Sequence, residues 1–398
     1  MNINFASEYS ELWNLSPEVI YLNHGSFGAC PKEVLKYQSE IRLNLEEQPM
    51  SFFLRKADEL LYNSKVILAE FISAEAENIV FVPNVTNGVS TVLNSLKLNN
   101  NDHILITNHI YFACRNAIEH FAKKSGVIID IAEVNFPDSS DDNCIEAILD
   151  KVNSKTRIAL IDHITSPTGI IFPVKEVVRQ LNTKNIDVII DGAHAPGMIP
   201  LNIKEIGAAY YTGNCHKWIC SPKGVGFLYV RTDKQKDIFP PVISHLQGDG
   251  FTALSDFQYK FSWAGTHDIS AYISVGKSLK YMAGLFAGGW KDIMHTNRTL
   301  ALKAREILCS ALKIDSPCPA NMIGSLASIP LPDDEQKFNF KSFYLEPVYK
   351  RLAEEYNIEV LTCIWQKYPK RLLRISAQLY NSEKQYEILG EALKKILS

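Results

Sequence analysis

Two residues combine a reactive side chain with a position just after a strand-like run. Asp191 ends the apolar run Asp187–Asp191 and is followed by GAHAPG, and Lys217 lies beside His216 and Trp218 in the segment TGNCHKWIC. A lysine that such neighbours partly desolvate has a lowered pKa and can act as an amine nucleophile. Taken alone, Asp191 is more typical of a turn-capping residue, and most lysines are solvated at the surface.

A third segment, Pro83–Gly88 (PNVTNG), joins the apolar run Ile79–Val82 to an amphipathic stretch. A polar turn at a helix N-terminus offers backbone N–H groups and the positive end of the helix dipole to a phosphate, although Thr and Asn are also ordinary N-caps. A phosphate anchor, an acid and a nucleophilic lysine at neighbouring strand ends are the set that pyridoxal 5′-phosphate (PLP) requires. The residues therefore predict a PLP site, and no metal site is expected.

The elements that must position these residues alternate between apolar runs and amphipathic stretches from about residue 60 to 230. The pattern predicts strands at Ile79–Val82, His103–Thr107, Gly126–Val134, Ile158–Asp162, Asp187–Asp191, Ala208–Thr212 and Gly224–Val230, with helices at Gly88–Leu98, Ala113–Lys124 and Val174–Leu181. Such alternation favours an α/β fold with a mainly parallel central sheet and helices on both faces. Ligands bind at the C-terminal ends of strands in sheets of this kind.

After about residue 270 the pattern changes to that of a smaller α+β C-terminal domain. Helices are expected at Ser270–Leu285, Thr296–Leu312, 342–355 and 382–397, and strands at Leu326–Ile329, Ile358–Leu361 and Leu372–Ile375. The predicted large, PLP-binding domain spans 31–275. The predicted small domain combines 1–30 with 276–398.

Composition excludes several other classes of protein. The 398 residues carry a net charge of −3 and are 46% hydrophobic, values that argue against disorder and against nucleic-acid binding through bulk charge. No apolar run approaches the length of a membrane span, and the N-terminus lacks the pattern of a signal peptide. Eight scattered cysteines without zinc-site spacing are typical of reduced thiols, so a cytoplasmic location is expected.

The sequence resembles the class V aminotransferase family of fold-type I PLP enzymes, and within it the isopenicillin N epimerase-like branch, which is related to cysteine desulfurases and hercynylcysteine sulfoxide lyases. Seven motifs carry the resemblance over nearly the whole chain, namely YLNHGSFG, FVPNVTNGV, HITSPTG, DGAHAPG, GNCHKW, WAGTHD and RLLRISAQLYN. The resemblance implies that Lys217 forms the Schiff base with PLP, that Asp191 pairs with the pyridine nitrogen, and that His194 contacts the phenolic oxygen.

The resemblance also implies the other contacts of the cofactor and of an amino-acid substrate. Tyr111 and Ala193 are expected on opposite faces of the ring, Ser166 beside it, and Asn23, His24 and Arg374 around the substrate, with Arg374 as the clamp for its carboxylate. Phosphate ligands are expected at Thr86, Asn87, Asn214 and His216, joined by Thr266 from the neighbouring subunit of a homodimer. His194 and Tyr111 could alternatively be packed core residues, and Arg55 is as well explained by a solvated helix position.

The motifs leave the reaction open. Removal of the Cα proton by Lys217 would be common to epimerisation, to C–S β-elimination and to transamination. A cysteine desulfurase would need a reactive cysteine, and Cys363, which precedes Arg374, lies in the apolar segment EVLTCIW, where a buried thiol is inert. A non-catalytic PLP-sensing domain and a nucleotide-binding α/β protein are the alternatives of other classes.

Overall fold

The computed structural model describes residues 5–244, 254–333, 346–367 and 369–397. The strands are β1 (Ile20–Tyr21), β2 (Ile79–Val82), β3 (His103–Thr107), β4 (Ile128–Ala132), β5 (Thr156–Asp162), β6 (Asp187–Gly192), β7 (Tyr210–Asn214), β8 (Gly226–Val230), β9 (Leu326–Leu331), β10 (Ile358–Glu359), β11 (Leu361–Ile364) and β12 (Arg371–Ser376).

The helices begin and end as follows: α1 (His24–Phe27), α2 (Lys32–Glu47), α3 (Pro49–Ser51), α4 (Ala57–Phe71), α5 (Val85–Ser95), α6 (Phe112–Ser125), α7 (Asp141–Asp150), α8 (Val174–Asn182), α9 (Ile203–Ile206), α10 (Asp256–Phe261), α11 (Ser270–Ala283), α12 (Trp290–Leu312), α13 (Pro347–Tyr356) and α14 (Glu383–Leu397). A π-helical turn, Phe52–Lys56, connects α3 to α4. No helix in the described ranges is long and apolar enough to cross a membrane.

The central sheet has seven strands in the order β2-β8-β7-β6-β5-β3-β4. Only β8 runs against its neighbours, so the prediction of a mainly parallel sheet is confirmed. Alternate residues of each strand enter two different apolar cores because side chains alternate across a sheet. In β6, Val188 and Ile190 pack into the core that includes α8, whereas Ile189 packs into the core that includes α5 and α6. Helices therefore cover both faces.

A second, three-stranded antiparallel sheet in the order β11-β12-β9 packs against α12 and α14 in the C-terminal part. The single strand expected at Ile358–Leu361 is instead two strands, because β10 pairs in parallel with the N-terminal β1 and β11 pairs with β12. The helix expected near 342–355 is observed at Pro347–Tyr356, and residues 342–345 lie outside the described part. The domain bounds 31–275, 1–30 and 276–398 stay a prediction.

Candidate active site

The C-terminal ends of three adjacent parallel strands bring buried polar side chains together. Asp162 of β5, Asp191 of β6 and Thr212 of β7 are paired in register, and all three are buried. The Ala193 amide donates to Asp191 Oδ1 at 3.0 Å, and the Cys114 thiol of α6 donates to Oδ2 at 3.2 Å. Burial raises the pKa of Asp191, so the carboxylate would be stabilised by a cationic partner.

Lys217 is half-buried in the loop after β7, with its amine 3.1 Å from His194 Nε2. Trp218 Nε1 donates to His194 Nδ1 at 3.3 Å, which places the ring proton on Nε2 of the neutral imidazole. Nε2–H then points at Lys217 Nζ, which accepts as a neutral amine. Burial, reinforced by the charge of Arg374, lowers the pKa of Lys217 to about 7. The amine is therefore a nucleophile near neutral pH.

The backbone of Lys217 is supported by the N-terminal segment. His24 is fully buried, and its Nε2 donates to the Lys217 carbonyl at 3.0 Å while its Nδ1 accepts from the Tyr380 hydroxyl at 2.9 Å. Burial lowers the pKa of His24 to about 3, so the ring is neutral. Gly28 has φ +68°, and a Cβ there would lie 1.9 Å from the His216 carbonyl oxygen. These contacts favour support of the lysine loop over contact with substrate, and the substrate-binding role of His24 stays a prediction.

The expected phosphate ligands surround the N-terminus of α5. The Asn84 side chain caps the helix by accepting from the Asn87 amide, and Asn214 Oδ1 of β7 accepts from the Val85 amide at 3.0 Å. Thr86 and Asn87 are half-buried in the first turn. The positive end of the helix dipole therefore lies at the strand edge that holds Asn214, which is a suitable place for an anion.

His216 lies in the chain between Asn214 of the expected phosphate site and Lys217. Its Nδ1 donates to the Val225 carbonyl at 2.9 Å, which leaves Nε2 as the acceptor of the neutral ring. Burial lowers the pKa of His216 to about 4. The ring could donate to a phosphate only after it gains a proton, and a bound phosphate would favour that protonation.

Arg374 of β12 lies near Lys217, and two serines hold its guanidinium in place. Its Nη1 donates to the Ser166 carbonyl at 2.7 Å and to Ser166 Oγ at 3.1 Å, and its Nη2 donates to Ser26 Oγ at 2.9 Å. Ser26 in turn donates to Asn23 Oδ1 at 2.7 Å. Arg374 is 2% exposed, so its charge acts in a low-dielectric environment that favours a carboxylate partner.

Four other expected residues differ in their exposure. Tyr111 precedes α6 as its N-cap and is 43% exposed, and Ala193 is partly buried beside Asp191. Thr266 is exposed and lines, together with Asn87 of the same chain, a cavity of about 360 Å³. Arg55 is exposed on the π-helical turn. The transfer of Thr266 to a neighbouring subunit's site stays a prediction.

Cys363 is a core residue of the second sheet. It lies within β11, opposite Leu372 of β12, and is 5% exposed. Burial raises the pKa of its thiol to about 11, so the reactive thiolate is disfavoured. The geometry agrees with the sequence-based interpretation of a packing thiol.

Three residues of the site were not anticipated from the sequence, namely Asp162, Cys114 and Ser26. Asp162 ends the run IALID in the same way that Asp191 ends DVIID, so the strand-end signal was present for both. Cys114 and Ser26 contact Asp191 and Arg374 across separations of 77 and 348 positions, and no local pattern announces such contacts.

Comparison with known proteins agrees with this geometry. The family model described as aminotransferase class V matches residues 20–388. The chain belongs to the class V aminotransferase family. This family is PLP-dependent, which makes the protein a PLP-dependent enzyme and confirms the resemblance inferred from the motifs.

Relatives within the family include enzymes of several activities. The chain is 28% identical to a probable chloroplastic L-cysteine desulfhydrase from Arabidopsis thaliana, over 98% of this chain and 85% of that protein. It is also 28% identical to isopenicillin N epimerase from Streptomyces clavuligerus, over 95% of both chains. The fold is similar to that of a cysteine desulfurase from Thermococcus onnurineus NA1, with a TM-score of 0.78, 20% identity, and 98% and 97% coverage.

The residues present fit PLP. The four reactive parts of PLP each have a suitable group here. The half-buried amine of Lys217 matches its aldehyde, and the buried carboxylate of Asp191, which accepts from N–H and S–H donors, matches its pyridine nitrogen. The donor on His194 matches the phenolic oxygen, and the N-terminus of α5 matches the phosphate. Within the described ranges, no group of three or more His, Cys, Asp or Glu residues suits a metal ion.

Proposed function

We propose that this protein is a PLP-dependent C–S lyase that breaks the Cβ–S bond of cysteine or a cysteine S-conjugate. The observation that carries the proposal is the amine of Lys217, which lies 3.1 Å from His194 Nε2 and has a pKa lowered to about 7, near the buried guanidinium of Arg374. The name of the Arabidopsis relative, a desulfhydrase, supports a substrate of the cysteine class. The burial of Cys363 within β11 weighs against a desulfurase that would store sulfur on that thiol.

The substrate is oriented by its two charged groups. Its carboxylate pairs with Arg374, whose guanidinium the Ser26 and Ser166 hydroxyls hold in place. The amino group is then directed at Lys217. Burial of Arg374 and Asp191 strengthens the electrostatic contacts that each would make with a ligand.

Lys217 removes the proton at Cα and holds it on Nζ, 3.1 Å from His194. Bound PLP supplies the electron sink that stabilises the carbanion at Cα, and Asp191 keeps its pyridine nitrogen protonated. The Cβ–S bond then breaks with its electron pair remaining on sulfur, which leaves as a thiolate and takes up a proton. Hydrolysis of the organic product yields pyruvate and ammonia.

Epimerisation at Cα is the second candidate, because the phenol of Tyr111, which is 43% exposed and is expected on the ring face opposite Lys217, would return a proton to that face. The relative from Streptomyces clavuligerus, an isopenicillin N epimerase, supports this alternative. Whether an amino acid is epimerised or cleaved then depends on the presence of a leaving group at Cβ.

The purified protein, incubated in deuterated water with a panel of amino acids and cysteine S-conjugates, distinguishes the candidates by mass spectrometry. A lyase gives pyruvate and ammonia from substrates with a sulfur leaving group. An epimerase gives deuterium at Cα with an inverted configuration and no pyruvate. Cys363→Ser should leave lyase activity nearly intact, whereas loss of turnover with persulfide on Cys363 of the wild type would establish a desulfurase.

We infer that the protein is a homodimer in which Thr266 completes the phosphate site of the neighbouring subunit. Three large apolar side chains, Leu43, Met50 and Leu54, are more than two-thirds exposed on α2, α3 and the π-helical turn, and such a group is typical of an interface. Sedimentation should give a dimer, and Thr266→Ala should lower PLP affinity. A fully active monomer would contradict the proposal.

We also propose the domain division 31–275 against 1–30 with 276–398, and a cytoplasmic location. All eight cysteines are free and buried, which suits a reducing compartment. Limited proteolysis tests the division, because cleavage is expected first between the two units. Cell fractionation tests the location.

A further inference from the structure

Asp162 is a second buried carboxyl group next to Asp191, and none of the proposed chemistry uses it. The two residues are paired in register on the parallel strands β5 and β6, and they are 1% and 2% exposed. Leu160 and Ile189, each two positions before one of these aspartates, pack into the core that includes α5 and α6. Because side chains alternate along a strand, both carboxyl groups lie on this same face of the sheet. Adjacent strands lie about 4.8 Å apart, so the carboxyl groups are close neighbours.

Two buried carboxylates at this spacing cannot both be ionised without a strong penalty. The pair therefore holds one proton, and the surrounding donors indicate where. Asp191 accepts from the Ala193 amide and the Cys114 thiol, one donor on each oxygen. Asp162 accepts from the Tyr111 backbone amide and from its own, while its Oδ2 has no hydrogen-bond partner among the described residues. An ionised oxygen without a donor is costly to bury, whereas a protonated one is less so.

We propose that Asp162 is a positioning residue that stays a neutral carboxylic acid, anchors the Tyr111 backbone beside the site, and leaves the single negative charge of the pair on Asp191. This inference rests on the proposed role of Asp191 as partner of the pyridine nitrogen. Asp162 contacts Tyr111, which should stack on the PLP ring, and it lies next to Asp191, which should pair with the pyridine nitrogen. Asp162 therefore helps to position both residues.

The groups around the pair are consistent with this arrangement. Burial and the neighbouring Asp191 raise the pKa of Asp162 well above its usual range. The titratable groups that interact with the pair from other elements are Cys114 of α6 and Lys217 of the loop after β7, together with Tyr211 of β7, which lies in the core on the opposite face of the sheet. The pKa values of the thiol and the phenol are raised, so both are neutral, and of these three groups Lys217 alone can carry a positive charge.

Infrared difference spectroscopy of the holoprotein at neutral pH tests the location of the proton. A buried protonated carboxyl group gives a C=O band distinct from that of carboxylates, and this band should be lost in Asp162→Asn and retained in Asp191→Asn. The matched control is Asp187→Asn, at the opposite end of β6, which should retain the band. A band lost in Asp191→Asn but kept in Asp162→Asn, or no such band in the wild type, would overturn the assignment.

The affinity for PLP, measured by equilibrium dialysis, tests the anchoring of Tyr111. Asp162→Ala removes the acceptor of the Tyr111 amide and should weaken binding about tenfold, the usual effect of one lost hydrogen bond. Asp162→Asn keeps a neutral acceptor and should restore wild-type affinity. Equal weakening by both variants would show that the charge is required and would refute a neutral Asp162. Both readouts are independent of whether Lys217 attaches to PLP, so failure of the proposed function would be seen separately in Lys217→Ala.

Discussion

Strand β6 has an aspartate near each end, and the protein surrounds them in opposite ways. Asp187, at the N-terminal end, lies 2.5 Å from Lys234 Nζ and 3.6 Å from Arg231 Nη2, and it is partly exposed. Asp191, at the C-terminal end, is 2% exposed and forms no ion pair among the described residues. Its oxygens accept from an amide and a thiol instead.

The two lysines near these aspartates differ in the same way. Lys234 pairs with Asp187 and Asp233 at the margin of the sheet. The amine of Lys217 instead lies against the neutral His194, and its pKa is lowered. An acid and a base that neutralise each other stabilise the fold, whereas an acid and a base kept apart in a buried space are available to a ligand. The comparison therefore distinguishes the N-terminal end of β6, where paired charges stabilise the fold, from the C-terminal end, where the reactive groups lie.

The largest expected effect comes from Lys217, at the C-terminal edge of the central sheet. Lys217→Ala should abolish the adduct that borohydride traps between the protein and PLP, because the variant lacks the amine that forms it. Lys234→Ala should leave the adduct intact. Mass spectrometry of tryptic peptides locates the modified residue. An undiminished adduct on a different lysine would refute the assignment.

The next effect separates the two aspartates. Asp191→Asn should lower kcat about 100-fold or more, the range typical of losing one preorganised electrostatic contact at a reacting group. Asp187→Asn should change kcat by no more than about twofold, as expected for a substitution away from the site. Steady-state assays with the best substrate found in the panel measure both. Similar losses of kcat in the two variants would contradict the distinction between the two ends of β6.

The pH dependence of Lys217 gives an intermediate effect. Since the neutral amine is the nucleophile and its pKa is about 7, the rate of PLP attachment to the apoprotein should rise about tenfold per pH unit below 7 and level off above it. Stopped-flow absorbance measures this rate. Arg374→Gln should move the midpoint to higher pH because the guanidinium lowers the pKa of the lysine. Lys234→Ala should leave the midpoint unchanged, and an unshifted midpoint in Arg374→Gln would contradict the electrostatic link.

The smallest effect concerns stability and should have opposite signs at the two ends. Asp187→Asn breaks a partly exposed ion pair and should lower the free energy of unfolding by about 1 kcal/mol or less. Asp191→Asn removes a charge that burial disfavours, so the apoprotein should be equally stable or more stable. Urea unfolding of the two apoproteins measures the difference. A marked loss of stability in Asp191→Asn would show that this carboxylate holds the fold together as well.

The sequence predicted the strand ends better than the contacts between them. Two strands, Ile79–Val82 and His103–Thr107, have the predicted bounds, because each is a short apolar run between polar turns. Lys217 and Asp191 could be singled out because each follows such a run, and their roles remain proposals. The separation of β10 from β11 was not predictable, since β10 is defined by its pairing with β1, more than 300 positions earlier in the chain.

The environment of each site residue was less predictable than its position. His24 was expected beside the substrate, yet both of its ring nitrogens are engaged by Lys217 and Tyr380, residues 193 and 356 positions away. Burial lowers the pKa of His194 and keeps the ring neutral, and a hydrogen bond from Trp218 fixes its tautomer; the order of residues alone reveals neither. Burial and hydrogen-bond partners decide protonation, and both arise from contacts distant in sequence.

The position of His24 has a consequence for the order in which the enzyme is made. Residues 20–28 leave the ribosome long before their partners β10 and Tyr380, since His24 and Tyr380 are 356 positions apart. Domains generally fold as they emerge, so the central sheet can form while residues 20–28 still lack a place to dock. The contacts that hold His24 against the Lys217 carbonyl are complete only after Tyr380 has been synthesised. A chain truncated before Tyr380 would thus bear the lysine without this support, and we expect it to be inactive.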